Sequence, residues 1–292
     1  MKRYVLLLKK QILCFAIILA TTVTISVAAP GKFIDFKLSQ KPASMSTYEW
    51  CKKMAESHVN VKLVYLLTFM RVKSEHDWHY YMNKTRMPNT GCYLSVAMPQ
   101  KIRRCVYNVF YDHEVIKAVK LISIREEYNN QNYVEKIVVE TQNCGTIEVI
   151  ATDKFGIGWT ERGKHKHIIG LNPRKIERLE LSDDSVEGII GHELAHVIYD
   201  DCFKLYIIQN IFNESRNVYN LRESEQMCYE KSFSRAYEAE ADIVGTFGNP
   251  RWARGLIDFF KKINFGYVHN SIHPTANQRI AYLEELIRFL YL

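Results

Sequence analysis

His192, Glu193 and His196 stand in the middle of LSDDSVEGIIGHELAHVIYDD, residues 181–201. Histidines four residues apart lie one above the other on a helix, so both imidazoles can reach one metal ion. Glu193 falls beside that face, poorly placed as a ligand but able to touch a water on the metal. This is the H-E-x-x-H zinc arrangement. The flanking residues predict a helix: Asp184 with Glu187 three residues on is an N-cap pattern. Val186, Ile189, Ile190, Leu194, Val197 and Ile198 make that helix apolar around much of its girth, hence buried. Polar groups inside a buried helix are costly without partners, and a shared cation is such a partner. Gly188 and Gly191 each cost about 1 kcal/mol in helix propensity. They are expected to admit a closely packed neighbour or a substrate beside the metal.

A catalytic zinc site needs a third protein ligand and an open position for water. Nothing in Val197–Asp201 resembles a Gly followed by a third His, so the ligand is expected downstream. The candidates are Glu214, Glu223, Glu225, Glu230, Glu238 and Glu240. A ligating His normally gives its other N–H to a carboxylate, and a carboxylate four residues after the ligand Glu is placed to receive it. Among these six, Glu238 alone has an acid at that spacing, Asp242. The expected site is therefore one Zn²⁺ per chain on His192, His196 and Glu238, with Asp242 orienting a histidine.

The segments LSDDSVEGIIGHELAHV, SRAYEAEADIVG and His273-Pro274-Thr275-Ala276-Asn277-Gln278-Arg279 follow one another in this order. Together they resemble the three signatures of the zinc gluzincins that include HtpX, the CAAX prenyl endopeptidases and the periplasmic BepA-like proteases. The resemblance covers about residues 145–292. It implies a metal-dependent endopeptidase whose zinc sits on His192, His196 and Glu238. It also implies that His273 approaches the zinc, and that Arg279 pairs with an acid and braces the site. Pro274 fits the first turn of a last helix. The strand that borders the substrate cleft in such proteins is only loosely matched by Phe155–Thr160 and His165–Leu171.

The expected reaction is peptide-bond hydrolysis, with protein or peptide substrates. Zinc acidifies its water and polarises the scissile carbonyl, and Glu193 acts as general base, then acid. His273, or a tyrosine such as Tyr199 or Tyr237, is a further catalytic candidate to donate to the oxyanion. The alternative is a catalytically inactive, exported zinc-binding chaperone or adaptor.

These residues need elements to hold them. The chain has 292 residues, 47% hydrophobic and 24% charged, which is ordinary globular composition and excludes disorder. Of its net charge of +7, four charges come from Lys2, Arg3, Lys9 and Lys10; the remainder is too mild to point to nucleic acid. Residues 1–10 are basic, 11–29 carry no charge, and Ser26–Ala29 are small: a signal peptide over 1–28, hence an extracytoplasmic (periplasmic or secreted) protein. The alternative is one uncleaved N-terminal membrane anchor. After export six cysteines remain (Cys51, Cys92, Cys105, Cys144, Cys202, Cys228), an even number that suggests disulfides; buried free thiols are the alternative.

Residues 45–72 predict a helix, 73–104 a loop, and 105–152 strands (CVYNVFY, VIKAVKLISI, NYVEKIVVET, GTIEVIAT). Residues 167–171 predict one more short strand, and the chain from Ser182 is helical. His165 and His167 share a strand face and His76 and His79 a loop, all expected in solvent. The expected fold class is α+β: a mainly helical zincin-type metallopeptidase body over 141–292 with a small antiparallel sheet, after a mixed or β-rich region over 29–140.

Overall fold

The computed structural model describes residues 34–291 apart from 35, 70–74, 88, 90–92, 155, 220–222, 248 and 264–272. The expected signal peptide and its cleavage point, Cys92, His269 and the Cys228 side chain lie outside the described residues. Four helices come first: α1 (Thr47–Phe69), α2 (Glu75–Lys84), α3 (Gln100–Phe110) and α4 (His113–Val119). Five strands follow: β1 (Leu121–Tyr128), β2 (Val134–Thr141), β3 (Gly145–Ala151), β4 (Gly158–Arg162) and β5 (Lys166–Leu171). Helices α5 (Pro173–Arg178), α6 (Asp183–Ile198), α7 (Asp201–Tyr219), α8 (Glu223–Gly245), α9 (Pro250–Ile263) and α10 (Ala276–Tyr291) complete the fold. The class is α+β, a mainly helical body with one small sheet.

The sheet order is β1-β2-β3-β5-β4. It is mixed rather than purely antiparallel: β3 and β5 run parallel because β4 occupies the outer edge. The β2–β3 turn closes on Gly145 at φ 69°, where a side chain would be strained, and Thr141 Oγ1 donates to the Gly145 carbonyl at 2.8 Å. The domain boundary expected at 140/141 falls inside this hairpin, whose strands pair from Lys136↔Ile150 to Thr141↔Gly145. One hydrophobic core runs through both halves, joining Cys51, Ile102 and Val106 to Ile169, Val186, Trp252 and Leu286.

Two stretches fold against their expectation. Most of CVYNVFY belongs to α3, and VIKAV to α4. Its β-branched and aromatic residues favour strands, but Ile102, Cys105, Val106, Val109 and Phe110 recur at helical spacing, and burying that stripe decides the conformation. The expected break at Asp112-His113 is a helix cap: Asp112 Oδ1 accepts from the Glu114 N–H. Glu75–Lys84 is likewise helical rather than loop, carrying His76 and His79, and α3 already begins at Gln100. The long helix expected near 45–72 is α1; Ser46 and Glu49 exchange side-chain-to-backbone bonds at 3.1 Å, a capping box.

Cys51, Cys105, Cys144 and Cys202 are free thiols, which corrects the disulfide expectation for these four. Cys51 and Cys105 sit at 0% exposure, and burial pushes both thiols up to about 12, so they pack as small hydrophobes. Among the described residues no helix is long and apolar enough to cross a membrane.

Candidate metal centre

Helix α6 starts two residues earlier than its acidic pattern suggests. Ser182 is the N-cap and accepts from the Ser185 N–H. Glu187 is therefore free for another role: its carboxylate accepts from Asn108 Nδ2 at 2.7 Å and Trp252 Nε1 at 2.8 Å. That ties α6 to α3 and α9. The two glycines serve neighbours, not substrate. A Cβ on Gly188 would stand 2.6 Å from the Trp252 carbonyl, and one on Gly191 would collide with the Gly245 carbonyl of α8. The close α6–α8 approach is what brings Glu238 and Asp242 to His192, one residue after Gly191.

His192, His196 and Glu238 converge. His192 Nε2 lies 3.2 Å from His196 Nε2 and 3.4 Å from Glu238 Oε2; His196 Nε2 lies 3.7 Å from Glu238 Oε1. Ligand atoms about 2.0–2.1 Å from a tetrahedral zinc stand roughly 3.3 Å apart, and one ligand atom from each of the three residues lies within 4.8 Å of the others, close enough to surround one ion. Among the described residues this is the group of His, Cys, Asp and Glu close enough to hold a metal.

The donor chemistry supports the same fit. His192 Nδ1 meets Asp242 Oδ1 at 2.8 Å, and His196 Nδ1 meets Asp201 Oδ2 at 2.9 Å. A neutral imidazole that donates through Nδ1 turns an acceptor lone pair outward on Nε2. Two such lone pairs then face a carboxylate, and Glu238 Oε2 is buried with no hydrogen-bond partner. Such a gathering of acceptors is satisfied by a cation or by a proton on one imidazole. Without a cation the proton takes that role: burial pulls His192 down, but Asp242 and Glu238 outweigh it and raise it to about 10. The same imidazoles, with Arg279, hold Glu238 well below the usual carboxylate range against its burial.

Asp242, fully buried, is the hub of the surrounding shell. Arg279 donates to both of its oxygens, through Nε at 2.7 Å and Nη2 at 2.5 Å, and the Tyr282 hydroxyl donates as well. Arg279 Nη1 also lies 3.4 Å from Glu238 Oε2, and its guanidinium covers the Phe260 ring at 4.1 Å. His273 approaches from the segment just ahead of α10, Nε2 3.4 Å from Glu238 Oε1, with its side chain half-exposed. It stands at the edge of the cluster, outside the three-residue cage. Pro274, expected in the first turn of α10, likewise precedes that helix, because Thr275 is the residue that caps it.

Glu193 is buried at 7% exposure and lines a cleft of about 830 Å³ that also reaches His192 and Glu238. Thr160 Oγ1 on β4 lies 2.7 Å from Glu193 Oε2 and donates to it. The β4 backbone passes so close that a Cβ on Gly158 would stand 2.9 Å from Glu193 Oε1. No known family model, curated protein or solved structure matches this chain. The site is therefore read from its own chemistry.

All seven residues expected at the site lie in or against it: His192, Glu193, His196, Glu238, Asp242, His273 and Arg279. The tyrosines proposed as oxyanion donors do not. The Tyr199 hydroxyl donates to Glu56 on α1 at 2.9 Å, and Tyr237 packs against Phe233 away from the cleft. His167 is buried rather than exposed, its Nε2 2.6 Å from Arg162 Nη1, because its strand face turns to the core; His165 is exposed.

Asp201, Thr160 and Tyr282 went unread in the sequence. Asp201 follows His196 by five residues across a turn in which Asp200 takes φ 53°. Helical spacing does not find it, though the need of His196 for its own carboxylate points to a nearby acid. Nothing local marks Thr160 or Tyr282.

Proposed function

We propose that this protein is a zinc-dependent endopeptidase that hydrolyses peptide bonds of exported or misfolded proteins. The observation that carries this is the convergence of His192 Nε2, His196 Nε2 and a Glu238 oxygen at zinc-like separations, with Glu193 beside them on a cleft wall. A zinc ion on these three ligands supplies Lewis-acid polarisation of a carbonyl and brings the pKa of water toward about 7.

The protein's own groups do the rest. Glu193 accepts a proton from the attacking water and returns it to the departing amine. Thr160 holds one Glu193 oxygen, leaving the other to face the cleft. Asp242 and Asp201 fix both imidazoles with Nε2 inward. Arg279 and Tyr282 keep Asp242 ionised in a site closed to water on that side. The basic and then apolar start of the chain supports an extracytoplasmic location, with a single N-terminal anchor as the alternative.

The test is cleavage of unfolded casein by zinc-loaded wild type and Glu193→Gln. Wild type is expected to cleave and to stop in EDTA. Glu193→Gln is expected to keep its zinc and lose about 10²- to 10⁴-fold in rate, the usual weight of a general base. Equal turnover by the two would reject the role of Glu193. Zinc-loaded wild type that cleaves nothing would leave the exported zinc-binding chaperone.

A further inference from the structure

A helix fixes where the Glu193 backbone stands, but several rotatable side-chain torsions still separate it from the carboxylate oxygens. What aims that carboxylate is β4. This is the outer strand of the sheet, paired with β5 from Gly158↔Leu171 to Arg162↔His167. Alternate residues of a strand share a face, and Gly158, Thr160 and Arg162 are the ones turned to α6 and the turn that follows it. Trp159 between them packs on Tyr93 at 4.7 Å. A Cβ on Gly158 would meet Ile189 Cγ2 at 2.7 Å and Glu193 Oε1 at 2.9 Å. Thr160 Oγ1 donates to Glu193 Oε2 at 2.7 Å and stands 3.1 Å from the Glu193 carbonyl. One carboxylate oxygen is held by a hydroxyl and the other abuts bare backbone.

Two residues further along, Arg162 Nη1 stands 2.6 Å from His167 Nε2 and 3.3 Å from Asp200 Oδ1. Asp200 is the turn residue at φ 53°, a conformation that L side chains seldom take. Its neighbour Asp201 is the carboxylate that meets His196 Nδ1 at 2.9 Å. Cys202 then donates its thiol to the Thr160 carbonyl at 3.7 Å. β4 is thus tied to the chain immediately before and immediately after Asp201. A threonine on an edge strand and an arginine beside an acid are ordinary by themselves. Here each meets a group whose orientation the centre requires, and both stand on one face of one strand.

Resting on the hydrolase reading, we propose that β4 is the positioning strand of the centre: Thr160 aims the Glu193 carboxylate, and Arg162 holds the Asp200 turn that presents Asp201 to His196. Both are positioning residues, and they act on different steps. Loss of Thr160 leaves the metal cage intact and misdirects the base. Loss of Arg162 loosens the partner of one imidazole and weakens the cage.

Two readouts on the full chain, with folding checked by circular dichroism, test this. In casein cleavage by zinc-loaded protein, Thr160→Val is expected to lower kcat about 10- to 100-fold, the cost of misplacing a reacting group. Its KM and zinc affinity are expected to stay within about twofold of wild type, and Thr160→Ser, which restores the hydroxyl, to recover most of kcat. In zinc competition with a chromophoric chelator, Arg162→Gln and Asp200→Asn are each expected to weaken binding about three- to tenfold. That is less than the about 10- to 100-fold for a residue that touches the ligand directly. Because the two act through one another, the double variant is expected to lose no more than either single one, and Arg162→Lys to keep most of the affinity.

Wild-type kcat in Thr160→Val, or a loss confined to KM, would overturn the role of Thr160 and leave the hydrolase standing. Unchanged zinc affinity in Arg162→Gln and Asp200→Asn, or losses that add in the double variant, would overturn the role of Arg162. Wild type that binds zinc but cleaves nothing would sink the hydrolase reading and the Thr160 half with it, while the zinc measurements still decide the Arg162 half.

Discussion

Around His192, polar side chains from two other helices are sealed from water: Asp242 from α8 and Arg279 and Tyr282 from α10 are all below a tenth exposed. Across the sheet, the ion pairs stay within reach of solvent. Arg125 meets Glu140 at 3.4 Å, and Glu148 receives Lys136 at 2.9 Å and Lys166 at 2.6 Å. The two regions use the same chemical pairs at very different cost. Buried ions are desolvated and persist only when every lone pair and proton is matched, whereas exposed pairs give up little hydration and contribute little. The expensive network is found where the orientation of two imidazoles must be held. The sheet needs its charges chiefly to keep its outer face wet, and its stability comes from the inward Val, Ile and Leu of β2, β3 and β5.

That contrast can be broken at its strongest point with Asp242→Asn. The variant leaves the buried Arg279 guanidinium with only the more distant Glu238 as counter-charge, and His192 Nδ1 without its ionised acceptor. Removing one member of a buried pair costs about 3–5 kcal/mol, and losing a carboxylate behind a metal-ligating histidine costs about 10- to 100-fold in metal affinity. Urea unfolding of the metal-free protein and zinc titration measure the two effects. A change below 1 kcal/mol with unaltered affinity would erase the distinction between the regions.

His167 on β5 sharpens it, since it is a buried ionisable group on the sheet side. Burial, then the neighbouring Arg162, lowers it from 6.5 to about 4. The unfolded chain takes up a proton near pH 6.5 and the folded chain only near pH 4. Stability is thus fully present above pH 6.5 and drains away as pH falls toward 4, by on the order of 3 kcal/mol. Wild type is expected to lose more stability between pH 7 and 4 than His167→Gln; parallel losses would place the titration elsewhere. At the weak end stands Arg125→Ala, expected to shift stability by less than about 1 kcal/mol, with thermal unfolding as the check.

Legibility in the sequence followed the range of the physics involved. The site helix was readable because His192, Glu193 and His196 are fixed by one helical period. Glu238 and Asp242 were readable because a second helix places its acids by the same period, and the motif order carried His273 and Arg279. Asp201 was missed because its link to His196 crosses a turn, and Thr160 because β4 meets α6 only through the tertiary fold. The α3 segment was misread because its residue types favour a strand while its spacing favours a helix; spacing prevailed once Cys105, Val106 and Val109 found a core to enter. The disulfide expectation rested on an even count of cysteines. A count carries no geometry, and Cys51 and Cys105 lie buried as thiols.

Everything proposed here depends on a divalent cation held between two imidazoles of α6 and one carboxylate of α8. The most direct measurement is zinc binding by competition with a chromophoric chelator, run on wild type and on Glu238→Ala with folding checked by circular dichroism. Wild type is expected to bind one zinc per chain and to release protons as it binds, because His192 must give up its proton. Folded Glu238→Ala is expected to lose at least about 100-fold in affinity, as removal of a direct ligand should cost no less than loss of an outer-shell partner. Wild-type affinity in Glu238→Ala, or no zinc uptake by wild type, would contradict the account.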